Sequence, residues 1–149
     1  MPRKFFRPYL FLFLGFTELI MSSCREREDT VSCFPSSPVN VVMNLSLPSY
    51  FVLQNVGGWV YVSEQQSGTR GLIVVRTTQG FKAYDRNAPH LCPSSDTTLE
   101  VQNDIKIICP QDGAEWILLT GEPVKTATIP PKFYPTSYDA VSNTLQIYY

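Results

Sequence analysis

Histidine is nearly absent from the 149-residue chain, which contains His90 alone. A metal site with three histidine ligands from one chain is therefore excluded, and any histidine-dependent catalysis would have to use that residue. Charged side chains are also scarce, at 17% of the sequence against a usual value of about 25%. With a formal net charge of −1, the chain is not expected to bind nucleic acid, because phosphate binding needs a clustered positive field.

Long helical periods are missing as well. After Cys24 no segment keeps a 3.6-residue apolar period over three turns, and short β-rich runs recur instead. These runs predict strands at residues 39–47, 58–62, 71–77, 81–84, 99–102, 105–109, 115–119, 126–129, 133–138 and 144–148. Their regular spacing predicts one all-β domain of short antiparallel strands, folded as a sandwich or partly open barrel.

The N-terminus has the layout of a secretory signal peptide. Basic residues at positions 3, 4 and 7 precede an apolar run at 9–16, and two small residues, Ser22 and Ser23, precede Cys24. A transmembrane anchor is the alternative, but it needs about 20 apolar residues, and Glu18 would lie inside the span. We therefore expect residues 1–23 to be removed as a signal peptide.

Residues 21–24, with the sequence Met-Ser-Ser-Cys, resemble the bacterial lipobox, in which the cysteine becomes the lipidated N-terminus. The resemblance implies lipidation of Cys24 and attachment to a membrane through the lipid, since several acyl chains together give stable anchoring. We expect residues 24–38 to form a tether and residues 39–149 to form the β domain. A plain signal peptide, with Cys24 merely near the cleavage site, is the alternative.

Four chemically active side chains fall in two short segments. His90 and Cys92 belong to residues 87–93, here called the first loop, and Cys109 and Asp112 belong to residues 109–113, the second loop. A predicted hairpin separates the loops, an arrangement that would suit a metal site at the tip of a β domain. One zinc ion bound by all four residues and a nucleophilic pair of His90 with a cysteine are alternatives. Asp112 is also explained by turn chemistry, because it precedes Gly113.

These loops resemble those of the Rieske [2Fe–2S] domains, which carry Cys-x-His in one loop and Cys-x-x-His in another. The similarity covers roughly residues 39–148. It includes the strand pair at 71–76 and 80–85, the segment at 112–123 and the strands at 130–134 and 143–147. The chain especially resembles Rieske-like lipoproteins of Gram-negative bacteria. This resemblance implies a Rieske-like fold, ligand loops at one tip, and a lipid-anchored location in the cell envelope, facing the periplasm or the surface.

Residue by residue, the ligand pattern is only half present. His90 and Cys109 match ligand positions, whereas Ala88 stands where the first cysteine belongs and Asp112 where the second histidine belongs. Alanine has no donor atom, and a carboxylate is a hard, charged replacement for imidazole. We therefore expect a non-enzymatic binding or structural module without a cofactor, with an unknown envelope protein as partner. A Rieske-type [2Fe–2S] electron-transfer protein is the alternative.

Some cluster-bearing members of the family have a disulfide between the two loops. In this chain Cys92 lies near one position of that bridge, while Gln111 occupies the other. The resemblance thus suggests that Cys109, without an iron to bind, pairs with Cys92. Two buried thiols are an alternative, and so is a bridge from Cys33 that fastens the tether to the domain.

Overall fold

The computed structural model describes residues 30–149. The predicted signal peptide and Cys24 lie outside the described residues. The described chain forms eleven strands and one 3₁₀ helix, Pro48–Gln54. The strands are β1 (Asn40–Asn44), β2 (Trp59–Val62), β3 (Leu72–Thr77), β4 (Gly80–Asp85), β5 (Glu100–Gln102), β6 (Lys106–Ile108), β7 (Glu115–Ile117), β8 (Pro123–Lys125), β9 (Phe133–Tyr134), β10 (Thr136–Asp139) and β11 (Thr144–Tyr148).

The strands form three antiparallel sheets with the orders β1-β11-β10, β2-β3-β4-β9 and β5-β6-β7-β8. In the part of the chain that the structure covers, the sheets stay open and do not close into a barrel. The prediction of an all-β domain of short antiparallel strands is confirmed. In the same part of the chain, no helix has the length and apolar character needed to cross a membrane.

Strand β3 of the middle sheet is buried on both faces over residues 72–75, and this explains its apolar run. Leu72 and Val74 belong to a core shared with the first sheet, which also contains Val41 and Ile147. The alternate residues Ile73 and Val75 belong to a second core, shared with the third sheet and the two loops. A strand covered on both faces has no polar side, so its sequence loses the alternation of a half-exposed strand.

Two strand predictions need correction. The run at 126–129 is not a strand, because Thr126 takes a left-handed φ of 64° and β8 ends one residue earlier. The run at 133–138 is two strands instead of one. Pro135 separates the two strands, because it has no N–H to donate to a ladder. Strand β9 pairs with β4 in the middle sheet, and β10 pairs with β11 in the first sheet.

The predicted hairpin between the two loops is confirmed, and its turn at Asn103 and Asp104 sets the position of the second loop. Both residues have positive φ, 53° and 58°, as the two central positions of a type I′ turn require. The turn joins β5 to β6 in antiparallel register, with Glu100 opposite Ile108. The residue after β6 therefore emerges at the same edge of the sheet where β5 begins, beside the first loop.

Candidate functional site: the two-loop tip

The two loops meet at one end of the third sheet, as the sequence predicts. The first loop leads from β4 towards β5, and the second loop joins β6 to β7 at that end. Across the junction, His90 Nε2 lies 2.7 Å from Asp112 Oδ2. This hydrogen bond is a direct side-chain link between the first loop and the second loop.

The pair between His90 and Asp112 is partly shielded from water. The two side chains are 17% and 24% exposed, and the imidazole packs edge-on against the Trp116 ring at a centroid distance of 5.6 Å. A carboxylate can only accept a hydrogen bond, so Nε2 of His90 carries the proton and donates it. The buried Nδ1 atom of the same ring has no hydrogen-bond partner among residues 30–149.

Asp112 also shapes the second loop itself. Its Oδ1 accepts a hydrogen bond from the backbone N–H of Ala114 at 3.1 Å. Partial burial alone would raise the pKa of Asp112, but the hydrogen bonds from His90 and Ala114 outweigh it and hold the pKa below its usual value. Asp112 is therefore an ionised loop-closing residue, and both of its oxygens have partners.

Cys109 lies fully inside the second core as a free thiol. Burial raises its pKa above the usual value, and the carboxylate of Asp112 adds to the rise. A thiol of this kind stays protonated at neutral pH, whereas nucleophilic cysteines need a stabilised thiolate. The burial and the raised pKa of the Cys109 thiol therefore do not favour the alternative of a nucleophilic pair with His90.

Ala88 occupies the position that the resemblance assigns to a cysteine ligand. It is 1% exposed and packs in the second core beside Cys109 and Trp116. Its backbone N–H donates to the carbonyl oxygen of Thr97 at 3.2 Å. Ala88 thus serves as core packing and as part of the loop backbone, and its side chain offers no ligand atom.

The predicted disulfide between Cys92 and Cys109 is wrong. Cys92 is bonded to Cys33, with a Cα–Cα distance of 5.5 Å, so the alternative in which Cys33 fastens the tether is confirmed. The tether runs beside the first loop, where the Val31 N–H donates to the carbonyl oxygen of Pro89 at 2.9 Å. Cys109 faces the interior instead. Because a disulfide sulfur is not a thiolate ligand, a zinc site built from all four loop residues is also wrong.

The donor set at the tip does not fit a [2Fe–2S] cluster, which needs four protein ligands. Position 88 has no donor atom, and Asp112 has hydrogen-bond partners on both oxygens. At the positions that match family ligands, the remaining donor atoms are Nδ1 of His90 and the sulfur of the protonated Cys109 thiol. Across residues 30–149, no group of three or more His, Cys, Asp or Glu side chains is arranged to hold a metal ion.

A buried polar network around Asp85, which the sequence pattern does not predict, holds the start of the first loop. Asp85, 2% exposed, accepts hydrogen bonds from the Tyr134 hydroxyl at 2.6 Å, from the Asn87 N–H at 2.7 Å and from Asn87 Nδ2 at 2.8 Å. An Asp two residues before an Asn at a strand end is a local turn signal. The contribution of Tyr134, 49 residues away, has no such signal.

A second support of this loop comes from Arg70. Its guanidinium donates hydrogen bonds to the hydroxyls of Thr97 and Thr98 and to the carbonyl oxygen of Ser94. Ser94 in turn donates from its hydroxyl to Oε1 of Gln111 in the second loop, at 2.8 Å. The segment that follows Cys92 is thus bonded both to Arg70, just before β3, and to Gln111 in the second loop.

Comparison with known proteins finds similarity in structure but not in sequence families. No family model matches the chain, and no curated protein matches it. A similar solved structure is the ferredoxin of carbazole 1,9a-dioxygenase from Nocardioides aromaticivorans IC177. It is 17% identical, with a TM-score of 0.43 over 75% of this chain and 97% of the ferredoxin.

A second similar structure is the complex of reduced oxygenase and oxidised ferredoxin in carbazole 1,9a-dioxygenase. Its matching chain is 18% identical, with a TM-score of 0.44 over 76% of this chain and 94% of the other. Both solved structures contain a ferredoxin of carbazole 1,9a-dioxygenase. At this identity the likeness concerns the fold alone and assigns no role to any residue.

Proposed function

We propose that this chain is a lipid-anchored protein of a bacterial cell envelope whose Rieske-like β domain works without an iron–sulfur cluster. The domain acts as a binding or structural module and has no catalytic activity of its own. Its partners are the membrane, through the lipid on Cys24, and a protein of the envelope. The location follows from the lipobox-like residues 21–24 and from the disulfide Cys33–Cys92, since disulfides persist in oxidising compartments.

The observation that carries the proposal is the contact between His90 and Asp112. The two loops are joined directly by this pair at 2.7 Å, so no bridging group is needed to hold them together. The neighbouring position 88 is filled by a buried methyl group. The same residues that would have to bind iron are therefore engaged in the loop-closing contact or in the core.

Iron and acid-labile sulfide analysis of the mature protein tests the cluster-free state. The protein is purified without oxygen, incubated with ferrous iron and sulfide, desalted, and examined by optical and low-temperature paramagnetic-resonance spectroscopy. We expect a colourless, folded protein without stoichiometric iron. About two irons and two sulfides per chain, the content of a [2Fe–2S] centre, would overturn the proposal and favour the electron-transfer alternative.

The chain offers its own positive control. The double substitution Ala88→Cys and Asp112→His restores the two missing ligand types at their matching positions. Given the same treatment, this variant is expected to take up more iron and sulfide than the natural chain. Circular dichroism of both proteins shows whether the β domain is folded in each sample.

A further inference from the structure

We infer that the two-loop tip faces the lipid bilayer, held there by the disulfide between Cys33 and Cys92. The inference rests on the proposed anchoring through Cys24 and concerns which face of the domain that anchor turns towards the membrane. The partner of this face is the surface of a phospholipid bilayer.

Within the described part of the tether, residues 30–38, the stretch at 31–33 lies against the first loop. Val31 donates a hydrogen bond to the carbonyl oxygen of Pro89, the residue before His90. Two residues later, Cys33 is bonded to Cys92 of the same loop. The chain that leads back to Cys24 therefore leaves the domain from the first loop.

Only six residue steps separate Thr30 from Cys24. A fully extended chain spans at most about 3.6 Å per residue, so this distance cannot exceed roughly 22 Å. A lipid on Cys24 would thus keep the first loop within that reach of the headgroups. Without the disulfide, the free chain would extend to Pro38, just before β1, and the reach would more than double, to about 50 Å.

Aromatic and basic side chains lie beside the tether at this end. The Lys132 ammonium is 5.5 Å from the ring centroid of Phe34 and 4.2 Å from that of Tyr149. A cleft of about 170 Å³ runs between these residues and the tether. Lysine and aromatic side chains suit the interface between water and lipid headgroups, in keeping with a bilayer as the surface that this end approaches.

The opposite end of the domain is marked by the hairpin between β10 and β11. The backbone N–H of Tyr149 bonds to Val39 at the tether end of the first sheet, whereas Asn44 pairs with Thr144 at the other end. Val141, 97% exposed, lies in the hairpin beyond that other end. Five residues of strand separate the ends, about 17 Å, so probes at the tip and at Val141 report different distances from a bilayer.

Energy transfer to the membrane tests the orientation. A clickable amino acid, p-azidophenylalanine, replaces either Ser95, exposed beside Ser94 at the tip, or Val141. Each full-length protein is expressed, and its mature form is purified from membranes and labelled with a donor dye. It is then placed in phosphatidylethanolamine–phosphatidylglycerol vesicles containing a headgroup acceptor dye. We expect transfer from position 95 to exceed transfer from position 141 at least about twofold, given the extra strand length.

The outcomes separate this inference from the proposed function. The intact mass of each purified protein shows whether Cys24 carries a lipid; a mass without one would overturn both. A lipidated protein with equal transfer from both positions, or with more from position 141, would overturn the orientation alone. The proteins with Cys33→Ser and Cys92→Ser, and the natural disulfide after mild reduction, should lose most of the difference. An unchanged difference in both would overturn the role of the disulfide.

Discussion

The first loop and the second loop each contribute one residue to the pair between His90 and Asp112, but they are held in different ways. The second loop is held largely by its own short-range contacts. Gly113 takes a left-handed φ of 69°, its N–H donates to Cys109, and Asp112 accepts from Ala114. The first loop is bonded directly to Cys33, and the residues at its two ends, Asp85 and Ser94, are bonded to the distant residues Tyr134 and Arg70.

This difference shows where the geometry of the tip originates. A turn whose bonds span a few residues forms from its own sequence, at little cost in chain entropy. A loop held by partners up to 59 residues away takes its shape only when the sheets have assembled. His90 is therefore placed by the tertiary structure, while Asp112 is placed by its own turn. Changes at distant partners should loosen the first loop and leave the second loop intact.

Removing the disulfide should have the largest effect on this contrast. Its bond closes a loop with a sequence separation of 59, which in the chain-entropy account stabilises the fold by about 4 kcal/mol. We expect the variant with Cys33→Ser and Cys92→Ser to lose stability of that order in urea unfolding. Amide exchange should become faster in residues 87–93 but not in residues 109–113. Equal acceleration in both loops would contradict the contrast.

Removing the buried carboxylate of Asp85 should have the next largest effect. Asp85→Ala removes the buried carboxylate that accepts from the Tyr134 hydroxyl and from the Asn87 backbone N–H, at an expected cost of about 3 kcal/mol. Asp85→Asn keeps the shape and one acceptor oxygen, so it should cost less. Urea unfolding of both variants measures the difference. If the two substitutions cost the same, the hydrogen bonds to Asp85 are not what holds the loop.

The smallest effect is expected at the contact between the loops. Asp112→Asn keeps an oxygen for the turn and removes the charge that faces His90, so the free energy of unfolding should fall by about 1 kcal/mol at neutral pH. The folded-state pKa of Asp112 is lowered. Its contribution to stability is therefore fully present above the ordinary carboxyl value of 3.8 and is lost as the pH falls through the lowered folded value.

Unfolding measured across that acidic range checks the sign. The natural chain should lose stability relative to Asp112→Asn as the pH falls, so the two curves should converge. His90→Gln serves as a matched control, because it removes the partner but leaves the carboxylate. A constant gap between the natural chain and Asp112→Asn at all pH values would show that the charge of Asp112 contributes nothing.

Much of the β architecture was predictable because its signals are local. Each of these signals depends only on residues close together in the sequence. They are the apolar run at 72–75, the turn at 103–104 and the loop motifs. The failures were local as well. Thr126 takes a left-handed conformation that its residue type does not predict, and Pro135 divides a run whose pattern predicts one strand. The missing ligand at position 88 was also visible from residue identity alone.

The amino-acid sequence by itself determined the all-β class, the absence of two ligand types and the turn that carries Asp112, since residue identity and short-range bonding are enough for each. The partner of Cys92, the burial of Cys109 and the approach of His90 to Asp112 were decided by the tertiary structure. A sequence offers several cysteine pairings of similar entropy, and only the packed sheets bring one pair of Cα atoms to bonding distance.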